Sequence, residues 1–342
     1  MSRKNNLELL SKDISSFLNQ CNKGVQTSTI LNTNLGRLKT VYDKVPTIKI
    51  LIDGLNNSAI LDDIINQDNF FNENYFKYLE QSTSCNPVPN TISDIVSFYE
   101  SNKSDPYFSF KDIYYYIFSE KSKTVKKAYS LYYEESIKKY FSKGKYQTYC
   151  SVCQQQICVG TRDLDHFLPQ SYFPILCLRH FNIVPMCLIC NRRFKKDNLP
   201  DIPVIHPYKV DFPISQIPMY LRKLNKLEIE YQGLSKEYLN YIKFMNLDER
   251  LCHDDIEKIV ENILKEIEQK AEGKIREDLS QNKNINTIKY IIEEVIKDSL
   301  CSLKSRRESF QIIKCKILES LLKTKNYEGF VLTLYQKCYA KK

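Results

Sequence analysis

Apolar positions along both long flanks of the chain recur at helical spacing. Near the start, Leu7, Leu10, Ile14 and Phe17 sit three and four residues apart, which lines one face of a helix. Thr124 to Phe141 reads as an amphipathic helix. Further on, Ile256, Ile259, Val260, Ile263, Leu264 and Ile267 form one apolar stripe, with Asp254 placed to cap its start. Helices from about Thr287 to Leu300 and from Phe310 to Leu322 complete a C-terminal bundle. Breaks fall at Asn86-Pro87-Val88-Pro89-Asn90 and at Ser142-Lys143-Gly144-Lys145, and the prolines at 200, 203, 207, 213 and 218 mark an irregular connector. With eight glycines, no tryptophan and no internal repeat, the expected fold class is mainly α. The segments expected are an N-terminal helical domain over 1–137, a different unit over 138–205 and a C-terminal helical domain over 206–342.

The middle unit departs from the helical pattern. It holds Cys150-x2-Cys153 and Cys187-x2-Cys190, two close pairs separated by 33 residues. Four thiolates at that spacing meet the tetrahedral demand of a structural zinc ion. The chain has 12 cysteines, but they are scattered through 342 residues without an export signal, so metal ligation explains the two pairs better than disulfides do. Cys158 and Cys177, inside the same stretch, read as buried small hydrophobes, with substitution for a member of the quartet as the alternative. At 42% hydrophobic and 27% charged the composition is that of a folded protein. Neither a secretory leader nor a run of roughly 20 apolar residues is present, so a cytoplasmic protein with no membrane partner is expected.

Charge singles out the same unit. Residues 138–197 carry ten basic and three acidic side chains, whereas 1–137 are nearly balanced at 15 against 16. A polyanionic partner would dock on the middle unit. The aromatic runs Tyr114-Tyr115-Tyr116 and Tyr132-Tyr133 suit core or interface packing, with base stacking as the alternative.

Between the cysteine pairs lies Asp163-Leu164-Asp165-His166-Phe167-Leu168-Pro169, followed by Asn182, and Asn191 comes directly after the last cysteine. A zinc clamp alone needs none of these. Over about 50 residues the combination resembles the HNH endonuclease family, in an HNN variant similar to the HNH domain of the RNA-guided CRISPR nuclease. The resemblance implies a small ββα-metal core with a zinc knuckle, flanked here by helical domains. It implies His166 as the general base, Asp165 and Asn191 as ligands of a catalytic magnesium or manganese ion, and Asn182 as the brace of the hairpin loop. Asp163 is the spare carboxylate, expected to orient its neighbours. Oxygen donors suit a hard cation, and a neutral imidazole suits proton abstraction near pH 7.

Arg192, Arg193, Lys195 and Lys196 follow the last cysteine and are expected to contact phosphate, with Arg192, Lys195 and Lys196 on one helical face. His180 reads as structural and His253 as chemically silent, while Ile205-His206-Pro207-Tyr208 is reminiscent of HNH proteins in bacterial antiphage systems. The function expected is hydrolysis of phosphodiester bonds, in DNA, by an antiphage or restriction-type effector. Its helical flanks would bind a protein partner or sense a signal. The alternative is a non-catalytic zinc-ribbon module that binds nucleic acid or protein.

Overall fold

The computed structural model describes residues 5–33, 35–80, 88–118, 123–129, 149–157, 162–210, 212–222, 226–277, 285–306 and 308–324, with isolated positions beyond. Helices dominate both flanks. The N-terminal set comprises α1 (Asn5–Cys21), α2 (Thr27–Thr33), α3 (Gly36–Lys44), α4 (Pro46–Asn56), α5 (Leu61–Leu79), α6 (Ile92–Asn102), α7 (Asp112–Phe118) and α8 (Lys123–Ala128). Their placement follows local chemistry. Pro46 opens α4, where its missing N–H costs nothing, and Ile48, Leu51, Ile52 and Leu55 then bury one face. The Thr91 hydroxyl accepts from Asp94 N at 3.1 Å and caps α6.

The middle unit is a hairpin and a turn of helix. Strand β1 (Arg162–His166) pairs antiparallel with β2 (Ile183–Cys187), Asp165 opposite Val184 and His166 opposite Ile183. Directly after β2, Ile189–Lys195 winds as a π-helix. A second hairpin, β3 (Met219–Arg222) with β4 (Lys226–Ile229), follows the proline-rich connector. The helical spacing of the flanks did not foresee it, although its residues alternate between buried and exposed as a strand requires. Leu221 N donates to Ser320 Oγ at 2.7 Å, which docks this hairpin on the C-terminal helices.

Those helices are α9 (Lys236–Met245), α10 (Leu247–Leu251), α11 (Asp254–Glu277), α12 (Ile285–Ser305) and α13 (Gln311–Thr324). On α11 the buried stripe is Ile256, Val260, Ile263 and Ile267, continued by Ala271 and Ile275. Asp254 does not cap this helix; it is the first helical residue, and His253 stands at the cap, its carbonyl accepting from Ile256 N at 2.8 Å. Of the stretch Thr124–Phe141, α8 covers the start; residues 130–148, with Tyr132, Tyr133 and Ser142–Lys145, lie outside the described residues. One continuous buried cluster runs from Leu10 through the hairpin to Leu321. Among the described residues no helix is long and apolar enough to cross a membrane.

Candidate metal centre and adjoining polar site

The sulfurs of Cys150, Cys153, Cys187 and Cys190 lie within 4.8 Å of one another, and all four residues are buried. Sulfurs on a tetrahedral zinc with bonds of about 2.3 Å sit about 3.8 Å apart, and Cys153 Sγ lies 3.8 Å from Cys187 Sγ. The cluster could hold a metal ion such as zinc. Each pair is a local turn. Gln154 N donates to Cys150 O at 2.9 Å with Gln154 at φ 60°, and Cys190 N donates to Cys187 Sγ at 3.4 Å. The first turn is tied to β2 because Ser151 N and Oγ both donate to Pro185 O, at 3.0 and 2.9 Å. Burial, then the three neighbouring sulfurs, push the Cys190 thiol far above its ordinary range. A central dication reverses that balance and favours thiolates.

Arg250, which motif reading did not single out, completes this centre from α10. Its side chain is wholly buried, with Nε 3.4 Å from Cys190 Sγ and Nη2 3.6 Å from Cys153 Sγ. With a dication bound, four thiolates would leave two negative charges, and the guanidinium would offset one of them through charge-assisted N–H···S contacts. Asp255 fixes Arg250 through bonds of 2.6 and 2.8 Å. His253 Nδ1 lies 2.7 Å from the same carboxylate, and its Nε2 accepts from Arg193 at 2.9 Å. His253 therefore links Arg193 to the carboxylate that holds Arg250.

A second polar site lies beside the hairpin. Asp163 and Asp165 alternate onto one face of β1, facing the π-helix. Asn191 Nδ2 donates to Asp163 Oδ2 at 3.1 Å, and Arg192 grips the same carboxylate through Nε and Nη2, at 2.8 and 3.0 Å. A carboxylate only accepts, so the amide nitrogen of Asn191 must face it; its Oδ1 makes no hydrogen bond among the described residues. Lys195 points inward and is 1% exposed, with Nζ 2.8 Å from Asp165 Oδ2. Its ordered N–H bonds go to the His166 and Lys196 carbonyls, at 3.0 and 3.3 Å. Lys195 Nζ thus holds Asp165 Oδ2 in a buried ion pair. Burial raises the Asp165 pKa, and Lys195 partly opposes that.

His166 ends β1 and is 5% exposed. Its Nε2 lies 2.9 Å from the Cys177 carbonyl, so Nε2 carries the proton and Nδ1 keeps its lone pair. The ring packs edge-on against Tyr114 of α7, with centroids 4.5 Å apart. Burial lowers its pKa to about 4, so the imidazole is neutral at pH 7. Asn182, fully buried, ties the loop together. Its Oδ1 accepts from Leu168 N at 2.8 Å and Tyr75 Oη at 2.7 Å, and Nδ2 donates to Leu168 O at 3.0 Å.

Of the expected phosphate contacts, Lys196 is exposed, Arg192 and Arg193 are exposed but held by Asp163 and His253, and Lys195 is turned away from solvent. Lys195 therefore does not share an exposed face with Arg192 and Lys196. Cys177 stays apart from the quartet, and Cys158 lies outside the described residues. His180 pairs with Glu8 at 3.7 Å. His206 is buried among Tyr75, Phe76, Phe167 and Tyr208, and its Nδ1 accepts from Tyr208 N at 3.1 Å. In comparisons with known proteins, no family model, no curated protein and no solved structure matches this chain.

Proposed function

We propose that this chain is a metal-dependent endonuclease of the HNH kind, acting on DNA through the unit that spans residues 162–197. One observation carries the reading. On two oriented side chains, His166 Nδ1 and Asn191 Oδ1 make no hydrogen bond among the described residues, and Asp165 precedes His166 on β1. Both lone pairs are open to a cation or a proton. The donor set fits a hard cation: Asp165 and Asn191 would hold it through oxygen, with Asp163 fixing the amide. When bound, such an ion supplies Lewis-acid stabilisation of the leaving oxygen.

The chain's own groups do the rest. His166 takes a proton from water at Nδ1, while the Cys177 carbonyl holds the tautomer. A phosphate's negative charge beside the ring raises its basicity at that moment. Asn182 keeps the loop from Phe167 to Leu176 in place, and Arg192, Arg193 and Lys196 face the polyanion. Lys195 offsets the charge of Asp165. The order of hairpin, cysteine turn and helix supports the reading, as does the π-helix, a rare form frequent at functional sites. The products would carry 5′-phosphate and 3′-hydroxyl ends. The large helical flanks suit an antiphage or restriction-type effector.

A second reading, a non-catalytic zinc-centred module for nucleic acid or protein, is favoured by the burial of His166 and the ion pair already on Asp165. Plasmid cleavage separates the two. The full chain with magnesium or manganese should cut DNA, and His166→Ala should slow cutting at least about a hundredfold with fold and zinc content unchanged. A wild-type protein that binds DNA but never cuts it selects the second reading.

A further inference from the structure

The first turn of α13 is capped from a distant part of the chain. Phe310 stands just before the helix, and its carbonyl accepts from Lys314 N at 2.9 Å. A phenylalanine side chain cannot satisfy the free N–H groups of a first turn, as Ser, Thr, Asp or Asn would at that position. Gln154 does so instead. Its backbone carbonyl accepts from Phe310 N at 3.0 Å, and its Oε1 accepts from Ile312 N, 158 residues away, at 2.6 Å. Gln154 is the residue that closes the Cys150–Cys153 turn, through its own N–H to Cys150 O. Two further contacts join the same parts. Gln156 N donates to Ser309 Oγ at 2.9 Å, and the Arg250 guanidinium, which touches Cys153 and Cys190, lies 5.8 Å from the centre of the Phe310 ring. Gln154 and Phe310 are both left-handed, at φ 60° and 59°. Residues with side chains keep that conformation only where their surroundings impose it.

We infer that the cysteine centre is a metal-dependent joint: the occupied site holds Gln154 in the shape that caps α13, and loss of the metal undocks the C-terminal helices. A bound zinc would fix the Cys150–Cys153 turn through its sulfurs, and the turn presents both Gln154 oxygens to the helix. Without the metal, the turn and the two left-handed residues are free to relax. The change would spread along α13, because Ile313, Ile317 and Leu321 bury it in the core and Ser320 Oγ accepts from Leu221 N of the β3–β4 hairpin. Such a linkage is reciprocal: whatever the metal contributes to docking, docking contributes to metal retention.

The test is hydrogen exchange of the full chain, read by mass spectrometry with and without zinc, together with zinc retention against a chelator. Stripping zinc from the wild type should speed exchange over residues 309–316 at least about tenfold and leave residues 36–56, in α3 and α4, unchanged. Gln154→Ala keeps all four cysteines but loses the bond to Ile312 N. With zinc in excess it should speed exchange over residues 309–316 about fivefold, and it should lose zinc to the chelator more readily than the wild type. Gln154→Glu keeps an accepting oxygen at the helix start and should restore both. Equal exchange over residues 309–316 in loaded and stripped wild type, or in Gln154→Ala and wild type, overturns the joint. Faster exchange that spreads equally over residues 36–56 is general unfolding and overturns it too, as do a Gln154→Glu chain as loose as Gln154→Ala and a folded protein that takes up no zinc. DNA cutting enters none of these readouts, so the joint is tested separately from the nuclease reading.

Discussion

Replacing Asn182 by Ala tests how the loop that carries His166 is held. The wild-type amide satisfies three buried partners at 3.0 Å or less: the Leu168 N–H, the Leu168 carbonyl and the Tyr75 hydroxyl. Alanine leaves all three without a partner in a site that is 0% exposed. Each orphaned group costs about 1–3 kcal/mol, and partial relaxation of the Tyr75 hydroxyl brings the expected total to about 4 kcal/mol. That is a large part of the 5–15 kcal/mol or so by which domains are stable. Tyr75→Phe removes one partner only and should cost about 1 kcal/mol, and it should cost almost nothing in the Asn182→Ala background, where the hydroxyl is already orphaned. Urea unfolding followed by circular dichroism, with zinc in excess, measures all four corners of the cycle. A loss below about 1 kcal/mol for Asn182→Ala, or additive losses for the two substitutions, would refute the argument that this amide carries the loop.

Purified protein should contain close to one zinc per chain, and Arg250→Met should weaken zinc retention against a chelator about 10–100-fold by removing the charge beside Cys153 and Cys190; folded wild-type protein without zinc sinks this. Mild EDTA should stop DNA cutting before zinc is lost, magnesium or manganese should restore it, and Asp165→Ala should not be rescued; activity that returns only with zinc excludes a separate hard-cation site. For acid stability, burial lowers the His206 pKa from 6.5 to about 3, so the folded state favours the neutral ring. Its stabilisation is complete above pH 6.5 and is lost as pH falls towards 3, by about 1 kcal/mol per pH unit. Urea midpoints at pH 7 and pH 5.5 should therefore fall less for His206→Phe than for wild type, and parallel falls would refute the assignment.

Local spacing made the cysteine centre legible in the sequence. Each Cys-x2-Cys pair is its own tight turn, and a metal's geometry asks only that two such turns meet. The apolar stripes of α4 and α11 were legible for the same reason, since a helix repeats over residues that are neighbours in sequence. Tertiary structure alone placed Arg250 on the cysteine sulfurs, 97 residues from Cys153, because nothing near Arg250 encodes a sulfur partner. It also turned Lys195 inward to Asp165 by winding Ile189–Lys195 as a π-helix, which changes the face that each side chain presents. The same dependence divides the tyrosine run: Tyr114 is buried because His166 lies under α7, and Tyr115, one residue on, is left exposed beside Gln170. Which four cysteines meet followed from residue type and spacing. Protonation, accessibility and orientation depend on groups brought from distant parts of the chain, and only packing selects those.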